Sequence, residues 1–167
     1  LFLQATQLPI MLVRFQFQRL IQEIVQFRLL NNNYFKGDKM TIKHFGGIET
    51  AKKIDEVREV LRKRYGDDVN EFWITYDNQE NPYWAILFNK EFANVTYFPD
   101  AESLGFQSVG TPSGFNPDGF SVFYTNTPEE EIEVSNSAII PFEVALQVAL
   151  EFFHNPMLPN CIEWSEN

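Results

Sequence analysis

Beyond Gly66 the chain has almost no positive charge. Seventeen Asp and Glu side chains stand there against a single lysine, Lys90, a balance of −16. A field of one sign this strong repels nucleic acid and anionic membrane and draws basic proteins. Cysteine is almost absent too. Cys161 stands alone, which excludes an internal disulfide and a cysteine-built metal site, and predicts a reducing, cytoplasmic setting. The two histidines, His44 and His154, are far apart, and neither lies in a metal-ligand spacing such as HExxH. No uninterrupted apolar run is long enough to span a bilayer. The apolar N-terminus is broken by Arg14, Arg19, Glu23 and Arg28 and lacks a small-residue cleavage site. It therefore reads as neither a signal peptide nor a membrane span.

What is present suits a folded domain. The chain has 167 residues, 44% of them hydrophobic, and seventeen Phe, enough for a real core. Charged residues make up 22%, an ordinary share that argues against wholesale disorder. The cations cluster upstream: residues 40–65 hold seven Lys and Arg and four Asp and Glu, a balance of +3.

Residues 1–39 differ in character from the rest, being rich in Gln, Phe, Leu and Asn. Written in A-rich codons, Lys36-Gly37-Asp38-Lys39-Met40 encodes a purine-rich ribosome-binding site just before a start codon. This predicts a native start at Met40, with residues 1–39 a non-native leader. The competing expectation is an N-terminal helical extension. Ile10, Val13, Phe17, Leu20, Ile24 and Phe27 recur at three- and four-residue steps, the pattern of a helical seam. Residues 40–167 are then expected to form one domain.

From Met40 onward the pattern predicts a short strand at residues 41–45, then a helix over 49–65 with Ala51, Ile54, Val57 and Leu61 on its buried face. The period then changes to two. Strands are expected at 72–76, 83–88 and 93–98, with Asp77-Asn78-Gln79-Glu80-Asn81-Pro82 as the first turn. Such short connections imply an antiparallel meander. Residues 99–118 read as a long irregular loop, of the kind that is usually functional or mobile. Strands at 120–125 and 131–134 follow, then a helix led by Pro141 and ended by Asn155-Pro156, then a strand at 161–164. The order βαβββββαβ gives an α+β fold: an antiparallel sheet of about five to seven strands with two helices packed on one face.

Catalytic signals are weak. His154 ends a helix, where an imidazolium would meet the C-terminal dipole. Gly105 to Thr111 has glycines at the phosphate-loop spacing, but Thr111 stands where the lysine must be. Ser113 lacks the GxSxG setting of a nucleophile elbow. Cys161, beside Ile162 and Trp164, reads as a buried structural thiol. Trp73, Trp84 and Trp164 each fall in an expected strand. Interface anchors are one reading of them, and core packing is the default. No catalytic, metal or cofactor-binding residue is assigned.

The densest acidic run is Glu129-Glu130-Glu131-Ile132-Glu133, with Asp100, Glu102 and Asp118 along the preceding loop. A charged hairpin edge that resists aggregation is the bland reading of such a run. So many carboxylates with almost no nearby cation in sequence cost stability through self-repulsion. That cost suggests a use: steering a cationic partner and supplying charge-assisted contacts to its Arg and Lys. Asp100, Glu102, Asp118, Glu129, Glu130, Glu131 and Glu133 are accordingly the candidate partner-binding residues.

The C-terminal block, from Ile140-Pro141-Phe142-Glu143-Val144-Ala145 through Glu151-Phe152-Phe153 to Pro159 and Cys161-Ile162-Glu163-Trp164, resembles the immunity protein 1 family of bacterial polymorphic toxin systems. Members tend to end in a proline-led helix with a Glu-Phe step, a short turn and an apolar-Glu-Trp close. The resemblance spans about residues 70–167 and is carried chiefly by the last stretch. Asn155-Pro156-Met157-Leu158 replaces the shorter Gly-containing turn of many relatives. It implies a cytoplasmic, non-enzymatic antitoxin that binds a cognate basic toxin of the nucleic-acid deaminase class. It implies no cofactor and no direct contact with nucleic acid or membrane. Two alternatives stay open: an acidic interaction or nucleic-acid-mimic domain with no toxin partner, and a small carboxylate-based hydrolase. A neighbouring toxin gene separates the first reading from the second. A concave pocket with convergent carboxylates is what the third requires.

Overall fold

The computed structural model describes residues 39–76, 80 and 82–167. The apolar seam of residues 10–27 and most of the turn at 77–82 lie outside the described residues. The elements run β1 (Met40–His44), β2 (Gly47–Ala51), α1 (Ile54–Leu61), β3 (Val69–Tyr76), β4 (Tyr83–Asn89), β5 (Phe92–Phe98), β6 (Phe106–Ser108), β7 (Phe120–Tyr124), β8 (Glu131–Ser135), β9 (Ile140–Pro141), α2 (Phe142–His154) and β10 (Trp164–Glu166). This is an α+β fold. The main sheet has the order β10-β6-β5-β4-β3-β1-β2, with β9 pairing β5, and β7 and β8 form a second, two-stranded sheet. Every pairing between these strands is antiparallel.

Strand parity decides which residues meet the helices, because successive side chains point to opposite faces. Met40 and Ile42 of β1, Phe72 and Ile74 of β3, Trp84, Ile86 and Phe88 of β4, and Val95 and Tyr97 of β5 share one buried face. Both helices lie against it. Val57, Val60 and Leu61 come from α1, and Ala145, Leu146, Val148, Ala149 and Phe152 from α2. Aromatic edges lock the layers together: Trp84 to Phe152 at 5.0 Å between ring centres, Phe88 to Phe142 at 4.9 Å, and Trp84 to Trp164 at 5.4 Å.

Several boundaries move from the sequence reading. The expected helix over 49–65 begins only at Ile54. Gly47–Ala51 instead pairs with β1, which places Ala51 opposite Met40 in the core. Ala51 belongs to the buried set, but by strand parity and not by helical periodicity. The helix start is held by Glu56, whose carboxylate accepts from the backbone N–H groups of Lys52 (2.7 Å) and Lys53 (3.2 Å). The loop over 99–118 contains the short strand β6, which pairs with β5 and β10. Pro141 is the N-cap of α2, one residue before its first turn.

The last strand is Trp164–Glu166, not 161–164, because β6 offers its edge to Trp164, Ser165 and Glu166. Cys161 is therefore left in the preceding turn and is exposed, contrary to the buried thiol expected. Partial desolvation of the sulfur, then the Glu151 carboxylate, pushes this thiol up to about 11, so it is a poor nucleophile at neutral pH. Trp84 is a core residue and Trp164 is half-buried against the core cluster. Trp73 is not in that core. Its parity is opposite to Phe72 and Ile74, and on the other face of the sheet it packs at a tilt on Tyr83 (5.8 Å) and stacks with Phe98 (6.4 Å). Among the described residues no helix is long and apolar enough to cross a membrane.

Candidate functional site

The face of the sheet turned away from the helices carries the β7–β8 hairpin. Phe123 and Val134 are its inward residues. They bury against Ala138 and Ile139, with Leu87 of β4, Phe92 of β5 and Phe115 packed beside them. The hairpin crosses the strands at one end of the sheet. Asn89 donates from its side chain to the Val122 carbonyl at 2.8 Å. Farther along, Glu71 of β3, only 5% exposed, accepts from the Thr125 hydroxyl (2.7 Å) and the Asn126 backbone N–H (2.9 Å). A buried carboxylate must be hydrogen-bonded to be tolerated, and here the hairpin supplies the donors. The base of the hairpin is fixed by buried Asn136. Its amide donates to the Asn116 carbonyl (2.7 Å) and accepts from the Ser121 hydroxyl (2.6 Å).

Three turns meet at this end of the sheet, and each has a residue in the left-handed region. Asp68 has φ 68°, Lys90 φ 55° and Asn126 φ 57°, with Gly66 at φ 49° beside them. The Lys90 N–H donates to the Asp68 carbonyl at 2.9 Å. A Cβ on Gly66 would lie 3.3 Å from Pro128 of the hairpin turn. Lysine is a costly choice for such a conformation, and strain of this kind clusters where chain geometry serves function. The three turns also collect charge. Asp67, Asp68 and Glu91, all exposed, join Glu129 and Glu130 at this end.

The sequence-derived candidates divide. Glu129 and Glu130 lie in the β7–β8 turn, and Glu131 and Glu133 face outward on β8. Asp118 precedes β7 at the base of the hairpin. Asp100 and Glu102 stand elsewhere. They follow Phe98, which pairs with Tyr83, whereas the hairpin is anchored at Asn89 on the far end of the same strand. Six residues of strand place the two ends about 20 Å apart. The Asp100 carboxylate is engaged in its own turn, accepting from the N–H groups of Glu102 and Ser103 at 2.9 Å each. All seven candidates are exposed. Asp67, Asp68 and Glu91 were not singled out by sequence because they are distant in the chain from the acidic run. Only their positions in turns, beside Gly66 and after Lys90, hinted at them.

Titration is perturbed on β2 and in the segment that follows α1. Glu49 of β2 is held below the ordinary carboxylate value, first by the Lys63 ammonium at 2.6 Å and then by His44, also at 2.6 Å. The same contact with Glu49 raises Lys63. Burial lowers Arg64, whose guanidinium lies over the rings of Phe142 (4.6 Å) and Phe88 (4.7 Å). The His44 ring accepts the Gly46 N–H at Nδ1 (3.0 Å), so its proton sits on Nε2 and points at Glu49. This network ties β1, β2 and the end of α1 together.

Two small cavities flank the hairpin. One of about 230 Å³ lies among Asn89, Lys90, Phe92, Phe115, Ser121, Val122 and Phe123. The other, about 130 Å³, lies among Lys43, His44, Phe45, Glu71, Trp73 and Asn126. Each holds no more than one carboxylate. Among the described residues no group of three or more His, Cys, Asp or Glu is placed to hold a metal ion. The arrangement offers an anionic, partly apolar protrusion more readily than an acid–base pair.

An α+β domain with an acidic hairpin on the open face of its sheet is the class these observations define. The chain is similar to the double-stranded DNA deaminase immunity protein of Burkholderia cenocepacia (strain H111), a distant homologue. The two are 27% identical over 122 residues, which cover 73% of this chain and 95% of that protein. No family model matches the chain.

Proposed function

We propose that this protein is an immunity protein that binds and neutralises a deaminase toxin acting on nucleic acid. The observation that carries the reading is the homology to a double-stranded DNA deaminase immunity protein across 95% of that protein's length. The C-terminal block over residues 140–164 supports a place beside the immunity protein 1 family. The charge distribution supports a mechanism. A nucleic-acid-acting toxin needs a cationic groove for phosphates, and an acidic surface laid into that groove excludes the substrate. The hairpin carboxylates Glu129, Glu130, Glu131 and Glu133, with Asp118 and with Asp67 and Glu91 in the turns at the same end of the sheet, form the principal surface. Asp100 and Glu102 form a second contact at the other end of the sheet. The protein acts in the cytoplasm of the toxin-producing cell, without chemistry of its own, and residues 40–167 are the immunity domain.

Co-expression with the deaminase toxin encoded beside this gene tests the reading. Cells should survive, and the two proteins should leave a gel-filtration column as one complex that weakens as salt is raised. Continued killing without a complex rejects it. A chain beginning at Met40 should protect as well as the full chain.

A further inference from the structure

The outward face of the β7–β8 hairpin is neither purely acidic nor plain. Register places Phe120, Val122 and Tyr124 of β7 on that face, opposite Ser135, Glu133 and Glu131 of β8. Phe120 is 65% exposed and Val122 39%, in contrast to Phe123, which is 1% exposed on the inward side. The cross-strand neighbour of Phe120 is Ser135, too short to cover a phenyl ring. The backbone beneath Phe120 is held rigidly: Gly119 donates to Asn116 (3.0 Å) and accepts from the Asn136 N–H (3.0 Å). An apolar row on one strand thus runs beside a carboxylate row on the other, with opposed side chains about 5 Å apart. Residues 91–167 contain no Lys or Arg, so nothing within that stretch neutralises the carboxylates.

We infer that this face is the anchor of the complex, and that its occupant is the nucleic-acid groove of a basic deaminase. The inference rests on the immunity reading above. A groove that takes an unstacked base presents apolar or aromatic walls for stacking beside Arg and Lys for phosphate. The hairpin matches both parts at once. Phe120 and Val122 fill the place of the base, and Glu131 and Glu133 meet the phosphate-binding cations. The two rows divide the work. Buried aromatic anchors set how long a complex lasts, and charges set how fast it forms. A rigid base lets Phe120 act without an ordering cost at binding.

The test uses the full chain and a catalytically inactive form of the deaminase encoded beside its gene, with association and dissociation followed separately. Phe120→Ser should raise the off-rate on the order of tenfold or more and leave the on-rate nearly unchanged. The pair Glu131→Gln and Glu133→Gln should lower the on-rate and flatten its dependence on salt. Ile48→Ser, equally exposed but on β2, should change neither rate. Double-stranded DNA should compete with the wild-type chain for the deaminase. Circular dichroism melting of each variant verifies that it is folded. If the wild type binds but Phe120→Ser leaves the off-rate unchanged, or DNA fails to compete, the hairpin is not the anchor while the immunity reading stands. If the wild-type chain forms no complex at all, the immunity reading falls and this inference with it.

Discussion

The segment that encloses helix α1, residues 52–64, and the β7–β8 hairpin carry opposite charges, and the fold treats the two differently. Around the helix four cations are matched. Arg58 lies 3.0 Å from Asp55, Arg62 lies 3.2 Å from Glu143 on α2, Lys63 lies 2.6 Å from Glu49, and Arg64 lies 3.8 Å from Asp68. On the hairpin, none of Glu129, Glu130, Glu131 and Glu133 takes part in an ion pair among the described residues. Glu130 accepts only a neutral amide, from Asn126 at 3.0 Å. Exposed ion pairs add little stability, so the matched side is mostly a neutralised surface. The unmatched side keeps its charge available to something outside the molecule.

The two sides also differ in how they are held. The helix layer rests on a continuous apolar core, while the hairpin rests on a small cluster and one buried carboxylate. The largest test of that contrast is a core deletion. Phe88→Ala, between β4 and α2, should destabilise the whole domain by about 3–5 kcal/mol. Denaturant unfolding measures it, and a loss much below this means the helix layer is not the dominant core. Glu71→Ala should come next. It leaves the Thr125 hydroxyl and the Asn126 N–H without their acceptor, for a cost of about 1–3 kcal/mol. Hydrogen exchange should show that loss in the hairpin turn more than in β4 or α2. Uniform loss of protection would mean that the hairpin and the core are one cooperative unit.

Charge reversal addresses the unmatched side directly. Replacing Glu129, Glu130, Glu131 and Glu133 with Lys should slow association with a basic partner by roughly tenfold or more at low salt. Each single replacement should change stability by no more than about 0.5 kcal/mol, as at other exposed positions. An unchanged on-rate would move the contact elsewhere on the domain. The smallest effect belongs to the matched side. Glu49 is held below its ordinary value near 4.5, so its contribution is complete above that pH and is lost as pH falls through its lowered native value. Glu49→Gln should therefore lose less melting temperature than the wild type between neutral pH and about pH 3. Parallel curves would show that the Glu49–Lys63–His44 network adds nothing to acid stability.

Much of the fold was legible because it is written in neighbouring residues. The alternation Phe72, Ile74, Tyr76 and the stripe Ala145, Leu146, Ala149, Phe152 report directly on which face is buried. The misreadings share a cause. Ala51 fits a helical stripe and a strand equally well, and only its partner Met40 decides between them. The three residues of β6 have no pattern of their own, and β10 follows the edge that β6 provides. For the candidate site, the acidic run was legible and its company was not.

Composition and periodicity, which are properties of consecutive residues, set the segregation of charge, the α+β class and the meander. Tertiary structure alone decided which carboxylates became neighbours. It set Asp67, Asp68 and Glu91 in turns at the end of the sheet where the hairpin is anchored, and Asp100 and Glu102 at the other end. It also decided that Phe120 faces outward while Phe123 is buried. Strand register and turn contacts are properties of pairs distant in the chain, and the geometry of a charged surface is made of such pairs.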